Sequence, residues 1–236
     1  MAAPIVETHA LAKSFGITPV LRDVEFRLAP GSAAVVIGAN GSGKSTLLGI
    51  FAGLVAPTEG RALVFGEEPH RFTPRYRKRI GMMSHQSFLY PNLTARENLE
   101  YYARLYGVTD WRKAARVWLE RVGLERHAEE RVRGFSRGME QRLAAARAMI
   151  HGPSLLLLDE PFASLDAEGS AQVKTLIGSA VAEGCALVAT AHAPVELSGV
   201  EMELHEISAG RLVPYREKEE AKRGGRLRSL LGPGRG

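Results

Sequence analysis

The chain has 236 residues, 45% of them hydrophobic and 24% charged, with a formal net charge of +5. That length buries a full core as one domain, with or without a subdomain, and the composition is that of a globular chain rather than a disordered or fibrous one. No apolar run approaches the ~20 residues a bilayer span needs, and the first residues lack the charged-then-apolar plan of a signal peptide. The single cysteine, Cys185, excludes an internal disulfide and agrees with a reducing compartment. The chain is therefore expected in the cytosol, with Cys185 a buried, inert thiol at the entry to an apolar strand.

Residues 5 to 37 read as short strands, Val6–Leu11, Val24–Leu28 and Ala33–Ile37, separated by turn signals at Gly16 and Pro30-Gly31. The segment Gly38-Ala39-Asn40-Gly41-Ser42-Gly43-Lys44-Ser45 follows, and Thr46 opens an apolar helix running to about Leu54. This is a glycine-rich phosphate cradle between a buried strand and a helix. Its glycines let backbone N–H groups approach a phosphate closely, at a helix end that carries partial positive charge. Lys44 is placed to reach the β- and γ-phosphates and the Ser45 hydroxyl to ligate Mg²⁺.

Strand patterns follow at Arg61–Phe65 and from Ile80 to near Gln86, with the basic stretch Arg75–Arg79 between them. The period then becomes helical. Thr94-Ala95-Arg96-Glu97 is a capping box, and Leu99, Tyr102, Ala103 and Tyr106 follow at helical spacing up to Gly107. Asp110 caps a second helix with Trp111, Ala115, Trp118, Leu119 and Val122 on one face, and this aromatic stripe reads as a small helical core. Ser136 caps a longer helix, Met139–Ile150. Strand–helix alternation resumes with Leu155–Leu158, the helix Ala167–Ala182, the strand Ala186–Thr190, and a late hairpin of Glu203–Ile207 with Arg211–Val213. The fold class expected is α/β: a P-loop nucleoside triphosphatase core with a mostly parallel sheet, N-terminal antiparallel strands and an inserted helical subdomain at about 87–151.

The strand Leu155–Leu158 delivers Asp159-Glu160 to its carboxyl end, the edge at which open α/β sheets bind ligands. Adjacent acids there are costly unless a cation or a proton transfer uses them. Asp159 is assigned to Mg²⁺, through water, beside Ser45, and Glu160 to the proton of the attacking water. His192, after Ala186–Thr190, reaches the γ-phosphate from another strand end or is merely structural. The helix start at Ser136-Arg137-Gly138 reads as an N-cap, or as a second phosphate-binding surface serving a nucleotide held by another chain.

Together these residues resemble the ATP-binding subunits of ATP-binding-cassette transporters, over nearly the whole chain to about Val213. The parts stand in family order: the P-loop over Gly38–Thr46, the glutamine at Gln86, the signature Phe135-Ser136-Arg137-Gly138-Met139, Asp159-Glu160, Ser164-Leu165-Asp166 and His192. The resemblance implies ATP and Mg²⁺ as cofactors, and a cassette over residues 1–213. It implies contacts to nucleotide from Gly38, Ala39, Asn40, Gly41, Ser42, Gly43, Lys44, Ser45, Thr46, Ser136, Gly138 and Asp166, with Gln86 joining Ser45 and Asp159 at the metal. Lys44, Gln86, Glu160 and His192 form its catalytic set. Phe15 resembles the aromatic that stacks on adenine, with core packing as the competing reading. The implied partners are a transmembrane permease subunit and a second cassette, a copy or a close paralogue, sandwiching two ATP at the cytoplasmic face of the cell membrane.

The signature departs from Leu-Ser-Gly-Gly-Gln at Arg137 and Met139, so contacts at those two positions are not carried over. The stretch Ser84–Leu99 with Tyr102–Gly107 is similar to the ATPase of the haem exporter of cytochrome c maturation. A drug, antibiotic or lipid exporter is the alternative. Soluble translation or repair members carry two cassettes or a long insertion. Here only 50 positions separate Gln86 from Ser136, with no heptads and no cysteine pairs. The tail, 214–236, carries a net +4 and reads as a disordered, solvated segment or as one drawn to anionic lipid. Nothing resembles a base-reading module, so no nucleic-acid partner is expected.

Overall fold

The computed structural model describes residues 3–84, 86–163, 165–197 and 199–216. Of the sequence expectations, His85, Ser164 and the tail from residue 217 onward lie outside the described residues.

Strands β1 (Val6–Phe15) and β2 (Thr18–Leu28) form a long antiparallel hairpin, joined on the other side of β1 by β4 (Glu59–Val64). Both hairpin strands outrun the short runs expected from sequence. Register shifts between Thr8 and Leu11, and again up to Ser14, break the alternation that marks a strand. Ala10 and Asp23 carry positive φ there, 45° and 48°.

The second sheet has the order β5 (Ile80–Met83), β6 (Leu155–Asp159), β7 (Ala186–Ala191), β3 (Ala33–Ile37), β8 (Met202–Ser208), β9 (Arg211–Pro214). All pairings are parallel except β8–β9, the expected hairpin. The strands β3 and β6 are buried at every residue, which is why they read as continuous apolar runs. Helix α1 (Lys44–Phe51) packs on one face within a cluster that includes Phe26, Leu47, Phe51, Leu155 and Val188. It ends earlier than expected from sequence because Gly53 turns the chain at φ 71°. The basic stretch forms the short helix α2 (Pro74–Arg77). On the opposite face, α5 (Arg137–Met149) and α6 (Ala167–Ala182) supply Ala144, Ala145, Ala148, Val173 and Ile177. Cys185 lies in this cluster, and burial pushes its thiol up to about 12.

Between β5 and β6, α3 (Ala95–Tyr106) and α4 (Trp111–Arg121) pack on α5. The capping box forms at Thr94 and Glu97, Asp110 caps α4, and Ser136 caps α5 through the Met139 amide. The expected helical core forms here with Ala115, Leu119 and Val122 buried in it, but its aromatic members sit at the edge. It is built from Leu99, Ala103, Ala115, Leu119, Val122, Leu124 and Leu143, while Tyr102, Trp111 and Trp118 only edge it and Tyr101 is exposed. Small and aliphatic side chains let the three helices approach closely. The larger rings lie at the rim, where the Tyr102 hydroxyl reaches Phe88 O.

Candidate active site

Parallel strands bring their carboxyl ends to one edge. The loops after β3, β6 and β7 therefore meet there, with Asp159 in register with Thr190 and Thr190 with Val36. After β3 the chain turns tightly through 38–43 into α1. A Cβ on Gly43, which has φ 109°, would lie 2.9 Å from Leu21 Cδ2, and one on Gly38 would lie 2.5 Å from Ser42 Oγ. Gly43 is the N-cap of α1 and supplies no side-chain cap, so the first amides of the helix remain available to an anion.

Lys44 is 5% exposed and its Nζ turns back into the loop. It donates to Gly38 O at 2.7 Å and Ala39 O at 3.1 Å, and lies 3.5 Å from Glu160 Oε1. Ser42 Oγ is buried with no hydrogen-bond partner among the described residues. Val20, residues 40–46 and Glu160 line an open cavity of about 240 Å³. An ammonium resting on carbonyls, an orphaned hydroxyl and free helix amides around one cavity suit a polyphosphate.

At the end of β6, Asp159 is 4% exposed and accepts a hydrogen bond from Thr190 Oγ1 at 2.6 Å. The same Thr190 oxygen accepts from the Glu160 amide at 3.1 Å. Thr190 thus fixes the Asp159 carboxylate and anchors the backbone of Glu160. The sequence reading passed over it, although a lone hydroxyl in the run Ala186-Leu187-Val188-Ala189-Thr190 was the available signal. Glu160 has φ 51°, a region that non-glycine residues seldom occupy, and its carboxylate lies 2.9 Å from His192 Nε2. Gln141 Nε2 donates to Pro161 O at 3.2 Å and tethers this turn to α5.

Oxygen donors from Ser45 and Asp159 suit a hard cation such as Mg²⁺. That ion is usually held by one or two carboxylates together with substrate phosphates. The described residues contain no group of three or more His, Cys, Asp or Glu fit for an all-protein metal cage.

Other residues named from sequence stand further out. Phe15 ends β1 half-exposed, with Lys13 Nζ 4.8 Å from its ring centroid, so the ring is not core packing. Gln86 is exposed, and its hydrogen bonds are backbone ones to Ser84. Asp166 caps α6 through Gly169 N at 2.8 Å. Ser136 and Gly138 start α5, and neither lines the P-loop cavity. Arg137 does line a smaller cleft of about 70 Å³ with Ser84, Ser87, Glu140, Asp159 and Glu160.

The model of the ABC transporter family matches residues 21–163, from the hairpin through both halves of this site. The chain belongs to the ABC transporter family. It is an ATPase cassette of that family: its fold superposes with TM-score 0.80 and 26% identity on an ATP-binding cassette solved as a dimer in a post-hydrolysis state bound to ADP and Pi, covering 90% of this chain and 99% of that one. Among curated relatives, the Linearmycin resistance ATP-binding protein LnrL of Bacillus subtilis is 30% identical over 80% of this chain, which spans 61% of that protein's length. The Cytochrome c biogenesis ATP-binding export protein CcmA of Alkalilimnicola ehrlichii is 38% identical, with 85% of each chain covered. No helix among the described residues is long and apolar enough to cross a membrane.

Proposed function

We propose that this chain binds and hydrolyses ATP as the motor subunit of a membrane exporter, at the cytoplasmic face of the cell membrane. Two cassettes pair head to tail and hold two ATP molecules between them. The observation that carries the chemistry is the convergence of Lys44, Asp159 and the Glu160–His192 pair on one sheet edge. The observation behind pairing is that Ser136 and Gly138, on an outward-facing helix N-terminus, do not line the P-loop cavity. One chain therefore offers each phosphate only half of its donors, and a second copy supplies the rest.

Lys44 exchanges the carbonyls of Gly38 and Ala39 for the β- and γ-phosphate oxygens, and the 41–46 amides wrap the chain of phosphates. Ser45 and Asp159, the latter steadied by Thr190, would hold Mg²⁺ with Gln86, and bound Mg²⁺ supplies positive charge beside the β- and γ-phosphates. Glu160 takes the proton of a water whose oxygen bonds to the γ-phosphorus as the bridging oxygen leaves with ADP. His192 orients Glu160 and meets the γ-phosphate. Phe15 stacks on the base, and Asp166 lies at the junction between copies. Residues 87–151 form the helical subdomain that bears on the permease.

For cargo we favour haem in cytochrome c maturation, because the match to CcmA is reciprocal in length. An antibiotic exporter is the second reading, favoured by the match to LnrL. Co-purification with the membrane partner tests both. A partner that binds haem supports the first reading, and one that confers antibiotic resistance in the host replaces it. ATP-dependent dimerisation of Glu160→Gln on sedimentation tests the shared site, and a monomer at saturating ATP overturns it.

A further inference from the structure

The segment immediately after Gln86 is fastened to two helices by five hydrogen bonds with four of their side chains. Ser87 Oγ donates to Glu140 Oε1 at 2.5 Å, and Ser87 O accepts from Arg147 Nη2 at 3.1 Å. Phe88 O accepts from the Tyr102 hydroxyl. The Tyr90 amide donates to Asn98 Oδ1 at 2.8 Å, and Asn98 Nδ2 returns a bond to Tyr90 O at 3.1 Å.

Glu140 and Arg147 are seven residues apart on α5, which puts them on one face about two turns apart. They grip a single residue, Ser87, from both ends. Arg147 is the unusual jaw. It is 4% exposed, and no carboxylate pairs with it among the described residues. Its guanidinium carbon lies 5.2 Å from the Phe88 ring centroid and 5.5 Å from that of Tyr102. Its Nε has no hydrogen-bond partner among the described residues. A buried cation without a counter-ion is costly, so the ring faces and the Ser87 carbonyl are what hold it. Phe88 itself is held at φ 54°, a strained conformation for a bulky side chain. Such strain persists only where the surroundings over-determine it.

The helix that carries both jaws begins at Ser136. We infer that Ser87, Glu140 and Arg147 are a clamp that makes the glutamine segment and α5 move as one body. The occupancy of a γ-phosphate beside Gln86 then sets the position of the Ser136 end, which meets the partner copy's nucleotide. These are positioning residues, and the inference rests on the shared-site reading above. The clamp predicts that ATP still binds the single chain when a jaw is removed, but no longer closes the dimer as effectively.

The test uses the full chain in the Glu160→Gln background. Ser87→Ala, Glu140→Ala, their double variant and Ser87→Thr are compared for ATP affinity of the dilute monomer, melting temperature, and the ATP concentration that half-dimerises the protein on sedimentation. A hydrogen bond to a charged group is worth enough to shift that concentration about tenfold. Each alanine variant should show this shift with monomer affinity unchanged and the melting temperature lowered by no more than the about 2–6 °C that loss of one such bond costs a chain of this size. The double variant should shift no further than either single one, and Ser87→Thr should behave as the parent. Alanine variants that dimerise at the parent's ATP concentration overturn the clamp, as does a double variant whose shift is the product of the two. A parent that stays monomeric in ATP overturns the shared-site reading and the clamp with it. Arg147→Lys probes the other jaw, since a lysine can reach the carbonyl but does not reproduce a planar guanidinium over two rings. An intermediate shift is expected. No shift assigns the grip to Glu140 alone and overturns the two-jaw clamp, and if this variant fails to fold the Ser87 and Glu140 comparison still decides.

Discussion

Replacing Glu160 by glutamine separates binding from chemistry. The amide keeps the shape of the side chain and still offers an oxygen toward His192, which lies 2.9 Å from the carboxylate. What it loses is the capacity to take a proton. A positioned general base contributes about 10²–10⁴ in rate, equivalent to about 3–5 kcal/mol of barrier, and turnover should fall by that factor. Affinity should move the other way or not at all. Lys44 is held by two loop carbonyls and by Glu160 at 3.5 Å, in a region where the two side chains are only 5% and 14% exposed. Neutralising Glu160 removes one competitor for the ammonium that the phosphates need. Single-turnover hydrolysis of labelled ATP, set beside equilibrium binding of the same nucleotide, reads both quantities. Near wild-type turnover in the variant would refute the assignment of the base. Binding lost along with turnover would show that Glu160 holds the loop rather than the water.

Three further outcomes follow from particular contacts. Phe15→Ala should weaken ATP binding by the about 1–3 kcal/mol of a base–aromatic stack while leaving inorganic triphosphate binding and melting temperature unchanged, since the ring is half-exposed; calorimetric titration with both ligands checks this. His151 stacks on Tyr106, and burial, with Arg147 nearby, lowers its pKa to about 4, below the ordinary 6.5. Its neutral form is favoured in the fold, so the contribution is complete above pH 6.5 and is lost as pH falls toward 4, by about 3 kcal/mol. His151→Phe should flatten the acid limb of denaturant-measured stability over that window, and an unchanged limb would contradict it. Gly81→Ala should lower the melting temperature, because the new methyl would meet Ala148 O, Leu156 Cδ2 at 2.7 Å and Pro153 Cγ at 2.9 Å, an overpacking worth about 1–3 kcal/mol.

Much of this molecule is local chemistry, and local chemistry is legible in sequence. The P-loop needs its glycines where the backbone turns, the buried strands Ala33–Ile37 and Leu155–Asp159 need unbroken apolar runs, and Thr94, Asp110 and Ser136 cap helices through their own side chains. Each of these is fixed by residues within one turn or one strand of each other. The extent of the β1–β2 hairpin was not, because its bulges break the period that would announce it and only the cross-strand partner keeps the chain extended.

Distance in the chain also hid what orders the site. Thr190 holds the Asp159 carboxylate and the Glu160 amide from a neighbouring strand, 31 and 30 residues away. Ser87 is gripped by residues 53 and 60 positions further on. A hydroxyl in one strand and a lone arginine in a helix carry no periodic signal of such contacts. Sheet order and helix packing alone bring them to their partners, so the groups that perform the chemistry were written in the sequence and the groups that aim them were decided by the fold.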